Sequence, residues 1–330
     1  MSARQTVRSK WFCIVLLLAL VGSLLAMTLA TEAKGANAQS VSPDQPGPYH
    51  IGYYFASYYV SPYGWYTATI RYPALKDGWR AHPDMSGKPY AGIVVTDGYL
   101  SIGCMIDWIP EHLTSCGYVT LCFTTPNPAL NDDAQWAYGF NGGISKLESE
   151  NSSAGSPIRG LLGVSPGKFG IIGMSSGGEG VIQAAATNTK VGAAVALAPD
   201  VDPATAANVT VPIQLQVGSH DGLVQPSSVQ DEYAAIPSTT DKAFAEINGG
   251  NHVGYLDKWA AKVAQALGVD NPCTIGFAAQ HRVASKYFTA WFGYYLKGQQ
   301  AYETYMDRQG VTDSPPLGTV LSVWNYAHHP

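Results

Sequence analysis

The sequence predicts an α/β fold with a mostly parallel central sheet, an antiparallel pair of N-terminal strands, and helices on both faces. After residue 90, apolar strand-like runs alternate with helix-like stretches, an order typical of parallel sheets covered on both sides. Before residue 90, two aromatic and β-branched runs flank the turn-like sequence SPYG at 61–64. The chain has 330 residues, of which 46% are hydrophobic, which is enough for one large core.

The expected elements follow in chain order. The antiparallel pair covers 51–60 and 65–72, and the later strands cover 92–96, 118–124, 169–173, 193–198, 213–217 and 244–247. Helices are expected at 102–114, 177–186, 227–235 and 279–296, and the weakly patterned segment 127–160 is expected to hold a helix with loops. Two apolar stripes at helical spacing are expected to face the core: Ile102, Met105, Ile106, Ile109 and Leu113 in the first helix, and Val283, Tyr287, Trp291 and Tyr295 in the last.

The N-terminus has the pattern of an export signal. Arg4, Arg8 and Lys10 precede an apolar run at 11–30, and small residues follow. We expect a signal peptide at 1–38, cut after the Ala-Asn-Ala at 36–38; the alternative is an uncleaved membrane anchor through 11–30. If the peptide is cleaved, residues 39–330 form a single secreted α/β-hydrolase catalytic domain, which is expected to be a monomer without stable membrane insertion.

The charge bears on possible partners, and the cysteines bear on disulfides and metal sites. With 24 acidic and 19 basic residues, the net charge of −5 does not suggest a nucleic-acid partner. Cys104 and Cys116 flank a predicted helix of roughly 18 Å and are too far apart to bond, and Cys122 in a strand is expected to be a buried thiol. We therefore expect a disulfide from Cys273 to Cys104 or Cys116. The cysteine spacing does not suggest zinc, and no metal site is expected.

The pattern G-x-S-x-G occurs twice, around Ser165 and around Ser175. A nucleophile elbow requires a strand before the serine and a helix after it. Ser175 has both, whereas Ser165 is followed by Pro166, which lacks the backbone N–H that an oxyanion hole needs from that position. Ser175 is the predicted nucleophile, and Ser165 is interpreted as a turn residue.

The acid and the base should follow the serine along the chain. His252 lies in the loop after the predicted strand 244–247, whereas His281 falls inside the last helix, and His328 and His329 lie in the tail. Loops at strand ends can bring a base to a serine, so His252 is the predicted base.

Asp221 follows the strand 213–217 and is the predicted acid that orients the imidazole of His252. Asp200 and Asp202 follow the preceding strand and remain alternatives. His220, beside Asp221, is interpreted as a supporting or exposed residue. The oxyanion donors are expected to be the backbone N–H groups of Tyr99, in the turn after strand 92–96, and of Ser176.

With these pieces placed, the chain resembles the cutinase and polyester-hydrolase (PET hydrolase-like) branch of the α/β-hydrolases. The likeness covers most of 63–296. Its ordered motifs are Tyr63-Gly64, Asp97-Gly98-Tyr99, Trp108 with Pro110 and Leu113, Gly117-Tyr118-Val119, Ser156-Pro157-Ile158, 173–178, Val209-Thr210-Val211-Pro212, Asp221, and 246–250 with His252. The resemblance implies a secreted, cofactor-free serine esterase with an ester or polyester substrate, in which Tyr99 and Leu223 form walls of the substrate site.

The chain also departs from the family pattern at the substrate site. Met174 precedes the nucleophile where the family often has His or Trp, and Ser176 follows it where the family has Met. Asp200 stands where the family has a tryptophan clamp, Cys273 lacks its C-terminal partner, and 255–274 is interpreted as an insertion. Ester hydrolysis is therefore the leading hypothesis. The alternatives are a small-ester, lipid or acyl-carbohydrate esterase, and a non-catalytic exported binding protein that retains the fold.

Overall fold

A computed structural model describes residues 42–130, 132–164, 167, 169–306 and 321–328 of the chain. The predicted signal peptide at 1–38 and the alternative anchor at 11–30 lie outside these residues, as do Ser165, Pro166 and His329. No helix in the described part is both long enough and apolar enough to cross a bilayer.

Within the described residues, ten strands form one sheet. Their bounds are β1 His50–Val60, β2 Gly64–Ala74, β3 Gly78–Trp79, β4 Ala91–Thr96, β5 Tyr118–Thr124, β6 Phe169–Met174, β7 Val191–Leu197, β8 Ile213–Gly218, β9 Lys242–Ile247 and β10 Leu321–Ala327. The order across the sheet is β10-β9-β8-β7-β6-β4-β5-β2-β1-β3. The strands from β9 to β5 pair in parallel, whereas β2 pairs antiparallel with both β1 and β5. The predicted fold class is confirmed.

Seven α-helices connect or cover these strands in the described part of the chain. They are α1 Trp108–Ser115, α2 Ala134–Ser152, α3 Ser176–Ala185, α4 Pro203–Ala206, α5 Pro226–Ala235, α6 Lys258–Ala266 and α7 Phe277–Lys297. Short 3-10 turns cover Val253–Tyr255 and Gln300–Tyr305. The helix expected within 127–160 is α2, while α4, α6, β3 and β10 were not predicted.

The first predicted helix is shorter than expected. It begins at Trp108 rather than at residue 102, because the preceding loop is held in another conformation: the Asp97 carboxylate accepts the N–H of Met105 at 2.7 Å. Ile102 was expected in the core but is 46% exposed. The other four residues of that stripe are buried, and so are Val283, Tyr287 and Trp291 in α7.

The predicted disulfide is wrong. Cys104 bonds to Cys122, with Cα atoms 6.1 Å apart, and Cys116 and Cys273 are free thiols. Because α1 begins only at Trp108, Cys104 lies in the loop after β4 and reaches β5, which is the neighbour of β4 in the sheet. Cys122, which was expected to be a buried free thiol, is therefore the disulfide partner of Cys104. The bridge ties the loop after β4 to the sheet.

Candidate active site

Ser175 lies between the end of β6 and the start of α3, in a backbone conformation that L-residues rarely adopt. Its φ is 56° and its ψ is −127°. The N–H of Ser175 donates to the carbonyl of Leu197 at 2.8 Å, and its own carbonyl accepts the N–H of Glu179 at 3.0 Å. A strained serine held by the sheet on one side and by the helix on the other is typical of a nucleophile elbow.

Three glycines allow the backbone around the elbow to pack this closely. A Cβ at Gly177 would overlap the carbonyl of Asp97, and one at Gly173 would overlap the carbonyl of Gly177. A Cβ at Gly98 would lie 2.8 Å from the Cβ of Ser175, a distance that real Cβ atoms do not reach. The turn after β4 therefore lies directly against the serine.

The other two predicted members of the triad meet at the carboxyl ends of β8 and β9. Nδ1–H of His252 donates to Oδ2 of Asp221 at 2.9 Å. The second oxygen, Oδ1, accepts the N–H groups of Leu223 at 2.9 Å and Val224 at 2.7 Å. Both carboxylate oxygens of Asp221 thus have donors, which fixes the carboxylate and, through it, the ring of His252.

This pair is almost entirely buried: His252 is 2% exposed and Asp221 is 3% exposed. Burial by itself lowers the pKa of His252. The negative charge and hydrogen bond of Asp221, with further charge from Asp270 and Asp200, outweigh burial, so the pKa lies above its ordinary value. The surroundings therefore favour the imidazolium, the form that a general base reaches after taking a proton.

Three of the alternative acids and bases, Asp202, His281 and His328, are engaged in other contacts. Asp202 accepts the N–H of Ala204 at 2.8 Å and caps α4. His281 donates to the carbonyl of Leu256 at 2.9 Å and stacks on Trp108. His328 bonds to Asp241 at 3.0 Å.

His220 donates to the carbonyl of Pro272 at 3.1 Å and is half-buried. It lies in the acid loop beside Asp221, and its interpretation as a supporting residue stays a prediction.

The two predicted oxyanion donors lie on adjacent backbone segments. A Cβ at Gly98, the residue before Tyr99, would lie 3.2 Å from the backbone nitrogen of Ser176. Asp97 fixes the turn through Met105, and burial raises the pKa of this carboxyl to about 8. The N–H of Leu100 donates to the carbonyl of Pro128 at 2.8 Å. The turn that carries Tyr99 is thus held on both sides.

The four predicted substrate-binding residues differ in exposure. Tyr99, Asp200 and Leu223 are half-buried, whereas Met174 is 2% exposed and belongs largely to the core. Asp200 stands in an acidic environment: its charge helps to raise the pKa of Glu232, although burial is the main reason that this pKa reaches about 8. One oxygen of Glu232 accepts the N–H of Val201 at 2.8 Å and anchors the backbone beside Asp200.

Sequence reasoning missed Asp270 and Gln280, which hold the loops of the acid and the base. Asp270 lies in the segment interpreted as an insertion, and its carboxylate accepts backbone N–H groups from both loops. Gln280 of α7 accepts the N–H of Asn251 at 3.0 Å and donates to its carbonyl at 2.7 Å. The sequence shows Asp270 only as an acidic residue in an insertion beside the site. It does not indicate which loops the carboxylate contacts.

Comparison with known proteins agrees with the resemblance noted in the sequence. A family model described as PET hydrolase-like matches residues 39–312. Cutinase est1 of Thermobifida alba is 29% identical over 165 residues, which cover 49% of this chain and 53% of that protein. Cutinase est2 of the same organism is 26% identical over 222 residues, covering 66% of this chain and 68% of that protein.

A bis(hydroxyethyl) terephthalate hydrolase of Streptomyces coelicolor is 27% identical over 165 residues. That match covers 49% of this chain and 50% of the relative. The chain thus spans about half of the length of two of these three relatives.

Proposed function

The chain belongs to the PET hydrolase-like family, and from that premise we propose that it is a secreted serine carboxylic-ester hydrolase of the cutinase type. In this proposal, catalysis runs through a triad of Ser175, His252 and Asp221 and a covalent acyl-enzyme. Secretion is proposed from the export signal at 1–38.

The proposed triad and the two oxyanion donors share the steps of the reaction. Nε2 of His252 takes the hydroxyl proton of Ser175 as Oγ attacks the ester carbonyl, and it then protonates the leaving alcohol. Water then gives a proton to the same nitrogen as it attacks the acyl carbon, and His252 returns that proton to Oγ of Ser175 as the bond to the acyl group breaks. Asp221 keeps Nδ1 of the ring protonated and stabilises the imidazolium. The N–H groups of Tyr99 and Ser176 stabilise the oxyanion, and losing one such donor typically costs on the order of 10²- to 10³-fold in rate.

The observation that carries this proposal is the buried hydrogen bond between His252 and Asp221, at 2.9 Å. It lies at the carboxyl edge of the same parallel sheet that presents Ser175 with a φ of 56°. A buried, charge-assisted His–Asp pair is costly unless it is satisfied and used. A binding protein without catalysis would gain nothing from keeping the serine strained.

A second candidate function is the hydrolysis of small or polar esters, including acyl-carbohydrates and lipids, rather than of aromatic polyesters. Asp200 occupies the position where the family has a tryptophan, and its neighbours Glu179 and Glu232 are also acidic. A carboxylate cannot stack on a terephthalate ring, but it can accept hydrogen bonds from hydroxyl groups. The acidic surroundings therefore favour a hydroxylated substrate.

Covalent labelling with a fluorophosphonate tests the proposed nucleophile. We expect the full chain to be labelled, the Ser175→Ala variant to remain unlabelled, and Ser145→Ala to behave as the unchanged protein. Ser145 is an exposed serine on α2 whose hydroxyl donates to the carbonyl of Asn141 at 3.1 Å. Absence of labelling in the unchanged protein would favour a non-catalytic binding protein.

The substrate class is tested by kcat/KM for p-nitrophenyl esters of increasing acyl length, for acetylated sugars, and by product release from a polyester film. An acidic site predicts faster turnover of the acetylated sugars. Efficient release of product from the film would instead support the polyesterase alternative.

A further inference from the structure

The carboxylate of Asp270 contacts the backbone beside both the proposed acid and the proposed base. Oδ1 accepts the N–H of Gly222, the residue after Asp221, at 2.8 Å. Oδ2 accepts the N–H of Val253, the residue after His252, at 3.0 Å. One side chain thus bridges two loops that follow different strands, β8 and β9.

The bridge complements a direct contact between the same loops. The N–H of His220 donates to the carbonyl of Gly250 at 2.8 Å, ahead of the two functional side chains. Past that point, the loops are joined by the Asp221–His252 bond itself and by Asp270. The Asp270 contacts therefore fall on the residues that immediately follow Asp221 and His252, where a change in loop position would alter the geometry of the pair.

The segment that carries Asp270 is itself fixed to the base loop. The side-chain amide of Asn251 donates to the carbonyl of Asn271 at 2.6 Å. The side-chain oxygen Oδ1 of the same Asn251 accepts the N–H of Gly254 at 2.8 Å. Oδ1 of Asp270 also accepts the N–H of Asn271 at 2.7 Å. Asp270 is therefore held in one orientation, with one oxygen toward each loop.

We propose that Asp270 is a positioning residue that clamps the acid loop to the base loop and so sets the geometry of Asp221 and His252. The inference rests on the proposed function and adds a residue to its machinery. Asp270 belongs to the segment 255–274, which was interpreted from the sequence as an insertion beside the site. It joins the loops because a backbone N–H of each donates to the same carboxylate, and hydrogen bonds to a charged acceptor are stronger than neutral ones.

The carboxylate also acts through its charge. The charged groups that influence His252 are Asp221, Asp270 and Asp200, all acidic, and each raises the pKa of the imidazole against the lowering effect of burial. Removing the charge of Asp270 leaves Asp221 and Asp200, and we expect the pKa of His252 to fall.

Two substitutions separate position from charge. In Asp270→Asn, one oxygen acceptor remains but the amide group opposes the other N–H, and the charge is lost. We expect kcat for p-nitrophenyl butyrate to fall on the order of 10- to 100-fold, with KM nearly unchanged. The acid limb of the kcat/KM profile should move to lower pH. Asp270→Glu keeps the charge, so its acid limb should stay near that of the unchanged protein even if kcat falls.

The matched control is Asp84→Asn. Asp84 likewise accepts a backbone N–H, that of Ser86 at 2.8 Å, but it lies in the loop before β4. This variant should keep both kcat and the pH profile. An unchanged kcat and acid limb in Asp270→Asn would overturn the clamp. Failure of both Asp270 variants to fold would also overturn it, because a local positioning role does not require the residue for folding.

The clamp and the esterase proposal can fail separately. If the unchanged protein neither hydrolyses esters nor reacts with a fluorophosphonate, the proposed function is lost. The titration of the His252 Cε1 proton by NMR would then still test whether Asp270 acts on the imidazole. If the unchanged protein is active and Asp270→Asn matches it in kcat and pH profile, only the clamp is wrong.

Discussion

The two halves of the proposed site are held in place by different kinds of contact. Ser175 is fixed by backbone contacts, since its N–H donates to the carbonyl of Leu197. Around it, glycines stand at positions where a Cβ would clash with a neighbouring residue. Asp221 and His252 are fixed by side chains, which include Asp270 and Gln280 from segments far along the chain. The elbow is thus a property of the sheet, whereas the acid–base pair depends on the loops around it. The first half should be sensitive to added volume and the second to lost charge and hydrogen bonds.

The largest expected effect comes from breaking the acid–base half at its centre. In Asp221→Asn, the amide group opposes Nδ1–H of His252 and favours the wrong tautomer, so kcat should fall on the order of 10⁴-fold. The elbow does not depend on this carboxylate, so circular dichroism should show an unchanged fold. Steady-state hydrolysis of p-nitrophenyl butyrate measures the loss. A fall of less than tenfold would assign the acid to another residue.

The next largest effect should follow from adding volume to the elbow half. In Gly98→Ala, the new methyl group would lie 2.8 Å from the Cβ of Ser175, so the turn or the serine must move. We expect kcat to fall on the order of 10²-fold. Gly155→Ala is the control, because a Cβ there meets nothing within 4 Å. Equal activity of the two variants would mean that the turn can relax without moving the serine.

Removing the disulfide should reduce stability without changing the chemistry of the acid–base half. The bridge closes a sequence separation of 18 residues, and loops of that length are worth about 3 kcal/mol in the chain-entropy account. Denaturant unfolding of the double variant Cys104→Ala/Cys122→Ala measures the loss, with Cys116→Ala as the control. The pH profile of kcat/KM for the double variant should match that of the unchanged protein. A shifted acid limb would show that the two halves are coupled through the loop after β4.

The smallest expected effect concerns the pH profile of the unchanged protein. A general base acts only when it is neutral, so kcat/KM should rise as pH passes upward through the pKa of His252. Because Asp221 and the other nearby carboxylates outweigh burial, the midpoint should lie above the ordinary histidine value of about 6.5. The initial rate with an uncharged ester, measured at constant ionic strength, gives this midpoint. A midpoint below the ordinary value would mean that burial dominates.

The same division explains what could be predicted from the sequence. The position of Ser175 depends on a strand before it and a helix after it, and both are local patterns with characteristic periods. The pairing of Asp221 with His252 could be predicted because both follow strands of one parallel sheet.

Cys104 was misassigned because the start of α1 depends on a contact between Asp97 and Met105 that no periodicity records. The contacts of Asp270 join residues about 17 to 48 positions apart, and local patterns carry no information about such contacts.

The strand β10 has a practical consequence for how this protein is produced. The family match ends at residue 312, whereas β10 covers Leu321–Ala327 and pairs antiparallel with β9 along its length. A chain shortened to the family boundary would leave the outer hydrogen-bonding groups of β9 without that neighbour. Unpaired edge strands recruit other chains, so we expect such a truncation to aggregate during expression although it keeps all three residues of the proposed triad. A shortened chain for expression should therefore include the whole of β10.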